Sequence, residues 1–339
     1  MAALGNRVTT TTQDKILPSA VDTILNSNVA AGRFLRAAKK WSGDLMKRPV
    51  KVSKNSTGTS FSGFDTFSTN ATDNRVMLQY HPKFYQISVA LPLDELSANA
   101  TEDKVIDLAA IEIEGAAQDM ADDVGTLLYA DGTGNSSKDF LGLAAHVDDG
   151  NTVATIGGQS RSTYSTLAST VTASGGTISL AKLTTLFNAV ASGSVKPTVA
   201  YCDETVFGLL EQLYTPQERI MKEVSMVKGG LVTGSGYSAL YHKGVPIIQD
   251  EKATSQTFFY LNEDFMDFHA LPVYDTKPVQ YKSQIQGNDY SSVLGLGFSW
   301  SGWIKPSNSA TLVGHIYLGG ELVGWNPKRN GKLTGITAV

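Results

Sequence analysis

Residues 131–138, Asp-Gly-Thr-Gly-Asn-Ser-Ser-Lys, have the composition of loops that bind a phosphate or a calcium ion. A Walker loop needs Gly-Lys-Ser/Thr opening a helix after a strand, but here a predicted helix precedes the stretch and no glycine precedes Lys138. An EF-hand needs a bidentate glutamate at the twelfth position, which is Gly142 when counted from Asp131. We therefore interpret this stretch as the turn that ends a helix.

A second candidate motif is Gly-Phe-Ser-Trp-Ser-Gly at residues 297–302, which nearly matches the Gly-x-Ser-x-Gly of a nucleophile elbow. Ser301 stands where the second glycine of that motif should be, and Pro306 interrupts the chain before a helix could follow. A nucleophile elbow requires a strand, a sharp turn and then a helix. The sequence therefore predicts a serine on a strand and no catalytic residue.

Metal and thiol chemistry have little support in the sequence. Cys202 is the single cysteine, which excludes an internal disulfide, and we expect it to be a buried structural thiol. No pair of histidines has the spacing of a zinc site. We therefore predict no metal and no cofactor. The scattered histidines are His81, His146, His242, His269 and His315.

The distribution of charge along the chain is uneven. Residues 33–54 hold eight Lys or Arg and one acid, whereas residues 102–123 hold eight acids and one Lys. Two solvated faces would explain this pattern. An alternative is that the two regions meet between neighbouring copies of the chain and help to set their register.

Bulk properties exclude several classes of protein. A chain of 339 residues is long enough for one large domain or two ordinary ones. The net charge of −4 argues against strong non-specific binding to nucleic acid. No apolar run approaches the roughly 20 residues of a membrane span, and the N-terminus lacks the apolar stretch of a signal peptide, so we expect no membrane association.

The first part of the chain predicts an extended arm over residues 1–18, a short amphipathic helix that begins near Ser19, and a long two-stranded ribbon over residues 45–92. The sequence predicts that the return side of the ribbon is one long strand. An isolated ribbon is marginally stable in water, and exposed phenylalanines would be a liability for a monomer. We expect the ribbon to lie on another copy of the chain. The tip phenylalanines are Phe61, Phe64 and Phe67.

From Thr101 to Ala130 the apolar residues recur at helical spacing, which predicts one helix roughly 45 Å long. Gly132 stands where a C-terminal cap glycine belongs. Gly115 and Gly125 are candidates either for bending of this helix or for close packing of a neighbour. The stripe consists of Ile106, Ala109, Ile113, Ala116, Met120, Val124 and Leu127.

The second part of the chain predicts a small α/β domain. Sixteen of the 27 residues from 151 to 177 are Ser, Thr or Gly, which is typical of a loop-rich crossover. Two helices, capped by Ser179 and Asp203, then alternate with short strands and a glycine-rich loop at residues 228–236. From Val293 the chain is again strand-like.

This order of elements resembles a tailed-bacteriophage major capsid protein with the Hong Kong 97-type fold. The resemblance covers nearly the whole chain and rests on the ordered set: the arm, the ribbon, the long helix ending in LLYADGTG and FLGLAAHV, and the segment GVPIIQDEKATSQTFFYLN. It implies an α+β fold with an N-terminal arm, an extended loop, a spine helix, a peripheral domain and an α/β axial domain. The implied boundaries are 1–44 for the arm, 45–92 for the extended loop, 93–150 for the peripheral domain with its spine helix, 151–255 for the axial domain, and 256–339 for the remaining axial edge, peripheral strands and C-terminus.

The resemblance also implies a structural role. Such chains assemble in the host bacterial cytoplasm into pentamers and hexamers of an icosahedral shell, the capsid of the virion, which encloses double-stranded DNA without sequence-specific binding. A portal protein, and in some cases a decoration protein, would be partners. Because Met1 is followed almost at once by the arm, we expect scaffolding to be a separate protein or absent. Some members cross-link their subunits, but no partner asparagine can be assigned here, so we predict no covalent cross-link.

The candidate contacts between subunits combine the basic region, the phenylalanine tip and the acids of the long helix. They are Arg33, Arg36, Lys47, Lys51, Lys54, Phe61, Phe64, Phe67, Glu112, Glu114, Asp119 and Asp122. Three other interpretations remain. One is an encapsulin-type cellular shell, another is a hydrolase that uses the α/β segment, and the third is a tail or attachment protein.

Overall fold

The computed structural model describes residues 28–99, 108–214, 240–271, 277–278 and 298–339. Its α-helices are Val29–Arg36, Leu93–Asn99, Leu108–Tyr129, Gly134–Ser137, Leu143–His146, Leu180–Val190 and Glu204–Tyr214. Short 3-10 turns lie at Ser165–Leu167, Glu263–Phe265 and Pro327–Arg329. The predicted arm at 1–18, the helix start at Ser19, the first residues of the long helix and the glycine-rich loop at 228–236 lie outside these ranges.

The strands fall into two six-stranded sheets and three small two-stranded ones. They are β1 (Lys39–Lys40), β2 (Met46–Lys51), β3 (Arg75–Tyr80), β4 (Lys83–Pro92), β5 (Thr155–Ile156), β6 (Gln159–Ser160), β7 (Thr170–Thr172), β8 (Gly176–Thr177), β9 (Val199–Cys202), β10 (Leu240–His242), β11 (Val245–Gln249), β12 (Phe258–Leu261), β13 (Met266–Ala270), β14 (Lys277–Pro278), β15 (Phe298–Trp300), β16 (Thr311–Gly324), β17 (Gly331–Leu333) and β18 (Ile336–Ala338). The α+β class predicted from the sequence is confirmed.

The first six-stranded sheet, which we call the peripheral sheet, has the order β1-β13-β16-β15-β14, with β4 on the other side of β16. The pairing of β4 with β16 is antiparallel and runs from Pro92 opposite Thr311 to Lys83 opposite Gly320. Ile316 and Leu318 of β16 belong to one core cluster with Met120 of the long helix. The sheet and the long helix therefore share a core.

The second six-stranded sheet, which we call the axial sheet, has the order β10-β11-β9-β12-β17-β7. Its central strands β9 and β12 are buried along their whole length. Ala200 and Cys202 pack with the helices Leu180–Val190 and Glu204–Tyr214, while Tyr201 faces the core shared by the peripheral sheet and the long helix. Both helices are capped as the sequence predicts: Lys182 N donates to Ser179 Oγ (3.3 Å) and Val206 N to Asp203 Oδ1 (3.3 Å).

The described part of the long helix runs from Leu108 to Tyr129 and buries a stripe that shares Met120 and Val124 with the prediction, while the predicted Ile113, Ala116 and Leu127 are only partly buried. Its most buried residues are Ala117, Met120, Val124, Leu128 and Tyr129. Gly132 follows three residues after the last helical residue with a φ of +77°, a left-handed conformation that favours glycine. The helix therefore ends slightly earlier than the glycine alone suggests.

The return side of the ribbon differs from the prediction of one long strand. The chain breaks at His81-Pro82 into β3, which pairs with β2, and β4, which pairs with β16 in the peripheral sheet. Proline lacks the N–H that a strand ladder needs and restricts the residue before it, which explains the break. The paired ribbon is therefore only six residues long on each side.

Gly125 supports close packing and gives no sign of a bend. Asn28 lies against the long helix there, and its Nδ2 donates to Ala121 O at 3.0 Å. A Cβ atom at position 125 would overlap the Asn28 side chain, whereas a Cβ at Gly115 would meet nothing within 4 Å. The space at Gly125 is occupied by the start of the helix Val29–Arg36.

Candidate assembly surface

The base of the ribbon is fixed by one buried face. Leu78 and Tyr80 of β3 are fully buried and form a cluster with Trp41 and Trp325. The Tyr80 hydroxyl donates to Gly324 O at 2.6 Å, which ties β3 to the end of β16. Burial of this size in aromatic side chains makes the base a rigid part of the subunit.

The segment from Gly157 to Thr166 also holds the ribbon in place. Gln79 N donates to Gly157 O at 3.0 Å, and Thr166 Oγ1 donates to Val52 O at 3.1 Å. Gly157 has a φ of +55°, and a Cβ there would lie 3.1 Å from Leu78 Cβ. The close approach of this backbone to β3 therefore depends on a glycine.

The opposite face of the ribbon is exposed and basic. Lys47, Lys51, Arg75 and Met77 are all exposed on it, and Lys51 lies directly opposite Arg75 across the two strands. Like charges in such cross-strand positions destabilise a ribbon. This face is therefore suited to an acidic partner surface.

The tip of the ribbon, residues 53–74, presents the phenylalanines to water as predicted. Phe61 is 68% exposed, Phe64 105% and Phe67 61%. Phe61 and Phe67 touch edge to face, with ring centroids 5.1 Å apart. Asn55 Oδ1 accepts hydrogen bonds from Thr57 N (3.0 Å) and Thr72 Oγ1 (3.2 Å), which joins the two sides of the tip. The three phenylalanine rings form an exposed apolar group that no residue in the described part of the chain covers.

Two of the predicted subunit contacts, Arg33 and Asp122, form ion pairs inside the protomer. Arg33 makes a bidentate pair with Glu263 (2.7 and 3.0 Å), because the helix Val29–Arg36 packs against the junction of the two sheets. Asp122 Oδ2 accepts from Lys252 Nζ at 2.7 Å and ties the long helix to the turn after β11. Both charges are engaged within one subunit, and their role as contacts between copies stays a prediction.

The other charged candidates occupy different positions. Lys47, Lys51 and Lys54 lie on or beside the exposed ribbon face, and Arg36 is exposed at the end of its helix. Glu112 and Asp119 are exposed on the long helix, while the side chain of Glu114 lies outside the described part of the structure. Two residues of the basic region form ion pairs inside the protomer, Arg33 with Glu263 and Lys39 with Asp267. The pairing of the two regions between copies stays a prediction.

The motif at Asp131 forms a turn. Asp131 Oδ1 accepts from Thr133 N (3.0 Å) and Thr133 Oγ1 (2.7 Å), and these bonds hold the pKa of this carboxyl below its usual value. Among the residues that the structure describes, no group of three or more His, Cys, Asp or Glu could hold a metal ion. The carboxyl of Asp131 is therefore engaged by its own turn.

The candidate nucleophiles are buried. Ser299 lies within β15 and is 3% exposed, and burial raises the pKa of the Cys202 thiol well above its usual value. His242 is bonded to the Tyr260 hydroxyl through Nδ1 at 2.6 Å. Ser299 thus lies within a paired strand and Cys202 in a protonated, water-free position. None of the described helices is long and apolar enough to cross a membrane.

One buried charge cluster was missed by sequence reasoning. Arg161 is 1% exposed, and its guanidinium lies 3.8 Å from Asp148, which also pairs with Lys332 of β17 at 3.4 Å. The cluster joins the end of the peripheral region to the axial sheet. Arg161 lies in a Ser/Thr/Gly-rich stretch without periodicity, so no pattern marked it. Its guanidinium donates to the carbonyl oxygens of Ala145, His146, Val153 and Leu167.

The sequence matches no family model and no curated protein. The fold, however, is similar to that of solved capsid proteins. In the cyanophage A-1(L) capsid asymmetric unit, one chain matches with a TM-score of 0.73 and 15% identity, over 98% of this chain and 100% of that one. The capsid of an empty GTA particle matches with a TM-score of 0.60 and 11% identity, over 99% and 98% of the two chains.

A cellular shell protein has the same fold. The SrpI encapsulin of Synechococcus elongatus PCC 7942 matches with a TM-score of 0.58 and 12% identity, over 99% of this chain and 96% of that one. These matches span the arm helix, the ribbon, the long helix and both sheets. The chain therefore has the Hong Kong 97-type fold of viral capsid and encapsulin shell proteins, as the order of its elements predicts.

Proposed function

We propose that the chain is the major capsid protein of a tailed bacteriophage, which self-assembles into hexamers and pentamers of an icosahedral shell around double-stranded DNA. The observation that carries this proposal is the match to the cyanophage A-1(L) capsid chain along the whole length of both chains. Among the residues that the structure describes, no element is left over that would form a separate catalytic domain. The role is structural, and we assign no enzymatic activity.

The ribbon supports self-association. Its base is anchored in the subunit, while Phe61, Phe64 and Phe67 at its tip are exposed to water. Exposed apolar side chains grouped on one surface are typical of an interaction site. We propose that this tip docks on another copy of the chain. The charged contacts of the proposal are Arg33, Arg36, Lys47, Lys51, Lys54, Glu112, Glu114, Asp119 and Asp122.

The further partners follow from the shell role. We propose a portal protein, a separate scaffolding protein and, for some shells, a decoration protein, with assembly in the host bacterial cytoplasm and the mature protein in the virion. The net charge of −4 is compatible with an inner wall that lets packaged DNA slide. We also propose the domain division at residues 44, 92, 150 and 255, with the strand β4 placed in the peripheral sheet.

An encapsulin-type shell is the second candidate, favoured by the match to the SrpI encapsulin over 99% of this chain. The contents of purified particles distinguish the two shells. Nuclease-resistant double-stranded DNA indicates a viral capsid, and an enclosed protein cargo indicates an encapsulin. A hydrolase or a tail protein would give neither kind of closed particle.

Electron microscopy of the purified chain, together with sedimentation velocity, tests the proposal. We expect closed icosahedral particles, or rings of five and six subunits. A chain that remains monomeric both alone and with co-expressed scaffolding protein would contradict the capsid proposal.

A further inference from the structure

Glu321 is a buried carboxyl group in the middle of β16. It is 1% exposed, and its neighbours Leu322 and Val323 are equally buried. The surrounding sequence, LGGELVGW, carries no other charge. A carboxylate in such a position is expensive unless it is paired and fully hydrogen-bonded.

The hydrogen bonds of this carboxyl are incomplete for an anion. Oε1 accepts from Leu141 N at 2.6 Å and from Leu322 N at 3.1 Å. Oε2 is buried and has no hydrogen-bond partner among the residues that the structure describes. Lys83 Nζ lies 3.9 Å from Oε2, while it donates to Asp139 O. Lys83, the cation paired with this carboxyl among the described residues, is therefore also directed at a carbonyl oxygen.

Three elements meet at this group. Glu321 belongs to the central strand of the peripheral sheet, and Leu141 belongs to the loop that follows the long helix. Lys83 is the first residue of β4, directly after the proline that ends the ribbon. Leu141 and Lys83 form a closure over Glu321. It joins the peripheral sheet, the loop that follows the long helix and the base of the ribbon.

Among the described residues, Lys83 is the cation whose charge acts on Glu321. Burial lowers the pKa of His146, whose Nε2 lies 2.9 Å from Leu322 O, to about 4, so this ring is neutral. Burial also lowers the pKa of His269 and raises that of Tyr80, which keeps both uncharged near neutral pH. The elements packed against Glu321 also carry other titratable groups. Among the described residues these are Lys83 and Tyr85 on β4, Lys138 and Asp139 in the loop, Asp267 and His269 on β13, Tyr80 on β3, and His146.

Burial is the main influence on the proton affinity of Glu321. It raises the pKa of this carboxyl to about 8, although the Lys83 charge and the two backbone N–H groups oppose the shift. A glutamate in water has a pKa near 4.5. The closed arrangement therefore holds a proton that an open, hydrated arrangement would release.

We propose that Glu321 is a proton-controlled latch: the neutral carboxyl is sealed under Leu141 and Lys83, and loss of its proton favours opening of this closure to water. The proposal does not depend on the assembly role and can be tested on the chain itself.

The direction of the effect follows from linkage. Below about pH 4.5 both arrangements are protonated, and above about pH 8 both are ionised. Between these values only the closed arrangement keeps the proton, so the opening equilibrium rises with pH by up to about tenfold per pH unit. Raising the pH through this range loosens the latch, and lowering it tightens the latch.

The test compares the full-length chain with Glu321→Gln, which keeps the shape and the acceptor for Leu141 N but has no proton to lose. We expect the unfolding midpoint of the unaltered chain to decrease as the pH is raised from about 5 to about 8. This decrease should be absent in the variant. Glu112→Gln is the control. It removes an exposed carboxyl of the long helix, so its unfolding midpoint should still decrease over this pH range. Amide exchange at Leu141, measured relative to Met120 in the same molecule, should accelerate with pH only when Glu321 is present.

A second variant tests the same titration by removing the nearby cation. Lys83→Met removes the charge that favours the ionised carboxyl. The pH range over which the unfolding midpoint decreases should therefore extend to higher pH. This shift distinguishes a titrating latch from a packing role, which would lower stability equally at every pH. Equal pH dependence of the unaltered chain and Glu321→Gln would overturn the proposal. If Glu321→Gln does not fold, an unchanged pH range in Lys83→Met would overturn it instead.

Discussion

Asn28 and Gly125 form a close contact that fixes where the arm meets the long helix. The amide group of Asn28 lies over the glycine and donates to Ala121 O at 3.0 Å, so the position has no room for a side chain. The contact explains why the helix carries a glycine in its interior, where glycine is unfavourable.

Gly125→Ala should destabilise the subunit, because the added methyl group forces Asn28 out of its position and breaks its hydrogen bond. We expect a loss of about 1–3 kcal/mol in the free energy of unfolding, measured by chemical denaturation. Gly115→Ala is the matched control. Since a Cβ there meets nothing within 4 Å, it should be neutral or stabilising by up to about 1 kcal/mol. Equal effects of the two substitutions would contradict the close-packing explanation.

Replacing Phe61, Phe64 and Phe67 together by serine should abolish assembly and leave the subunit folded. The tip makes few contacts within the protomer, so the free energy of unfolding should change by less than about 0.5 kcal/mol. Sedimentation velocity measures the assembly and circular dichroism the fold. The control is Phe84→Ser, which removes a phenylalanine that is 53% exposed on β4. If the control lost assembly to the same extent, the tip would have no special role.

Lys51→Glu should weaken assembly while it stabilises the ribbon. The new carboxylate would face Arg75 across the strands and replace a repulsive pair by an attractive one worth about 0.2–1 kcal/mol. Loss of assembly could then not be attributed to a damaged ribbon. Lys305→Glu, at an exposed site outside the ribbon, is the control for net charge.

Glu112→Lys should weaken assembly in the same way if the acidic and basic regions meet between copies. The double variant Lys51→Glu with Glu112→Lys should then recover part of the assembly, measured as the protein concentration at which particles form. Absence of any recovery would count against the pairing of these regions.

Arg33→Met should destabilise the single subunit, since it leaves Glu263 buried without its cation. Removing one partner of a buried ion pair costs about 3–5 kcal/mol, which denaturation of the subunit would detect. Arg36→Met, at the exposed end of the same helix, should cost less. An Arg33→Met subunit of unchanged stability that failed only to assemble would contradict this explanation and favour Arg33 as a contact between copies.

Much of the fold was accessible from local patterns. The stripe of the long helix, the caps Ser179 and Asp203, and the exposed phenylalanines follow from periodicity, side-chain hydrogen bonding and the polarity of the tip. Such features depend on residues close in sequence. The order of elements then sufficed to predict the fold class.

Contacts between distant residues were less accessible. The pairing of β4 with β16 joins residues more than two hundred positions apart, and only Pro82 marked the break in the ribbon. The sequence predicted Arg33 only as a contact between subunits, because nothing local indicates that Glu263 lies opposite it. Glu321 left a signal that could have been used, a lone acid in an apolar strand.

The position of β16 has a consequence for synthesis of the chain. Three strands pair directly with β16, namely β4, β13 and β15, and β1 joins the sheet through β13. All four precede β16 in the sequence. During translation these strands emerge with no central strand to join, so the peripheral sheet can close only after residues 311–324 have left the ribosome. A truncated chain therefore lacks a folded peripheral core, and only a subunit translated through β16 can present a properly anchored ribbon.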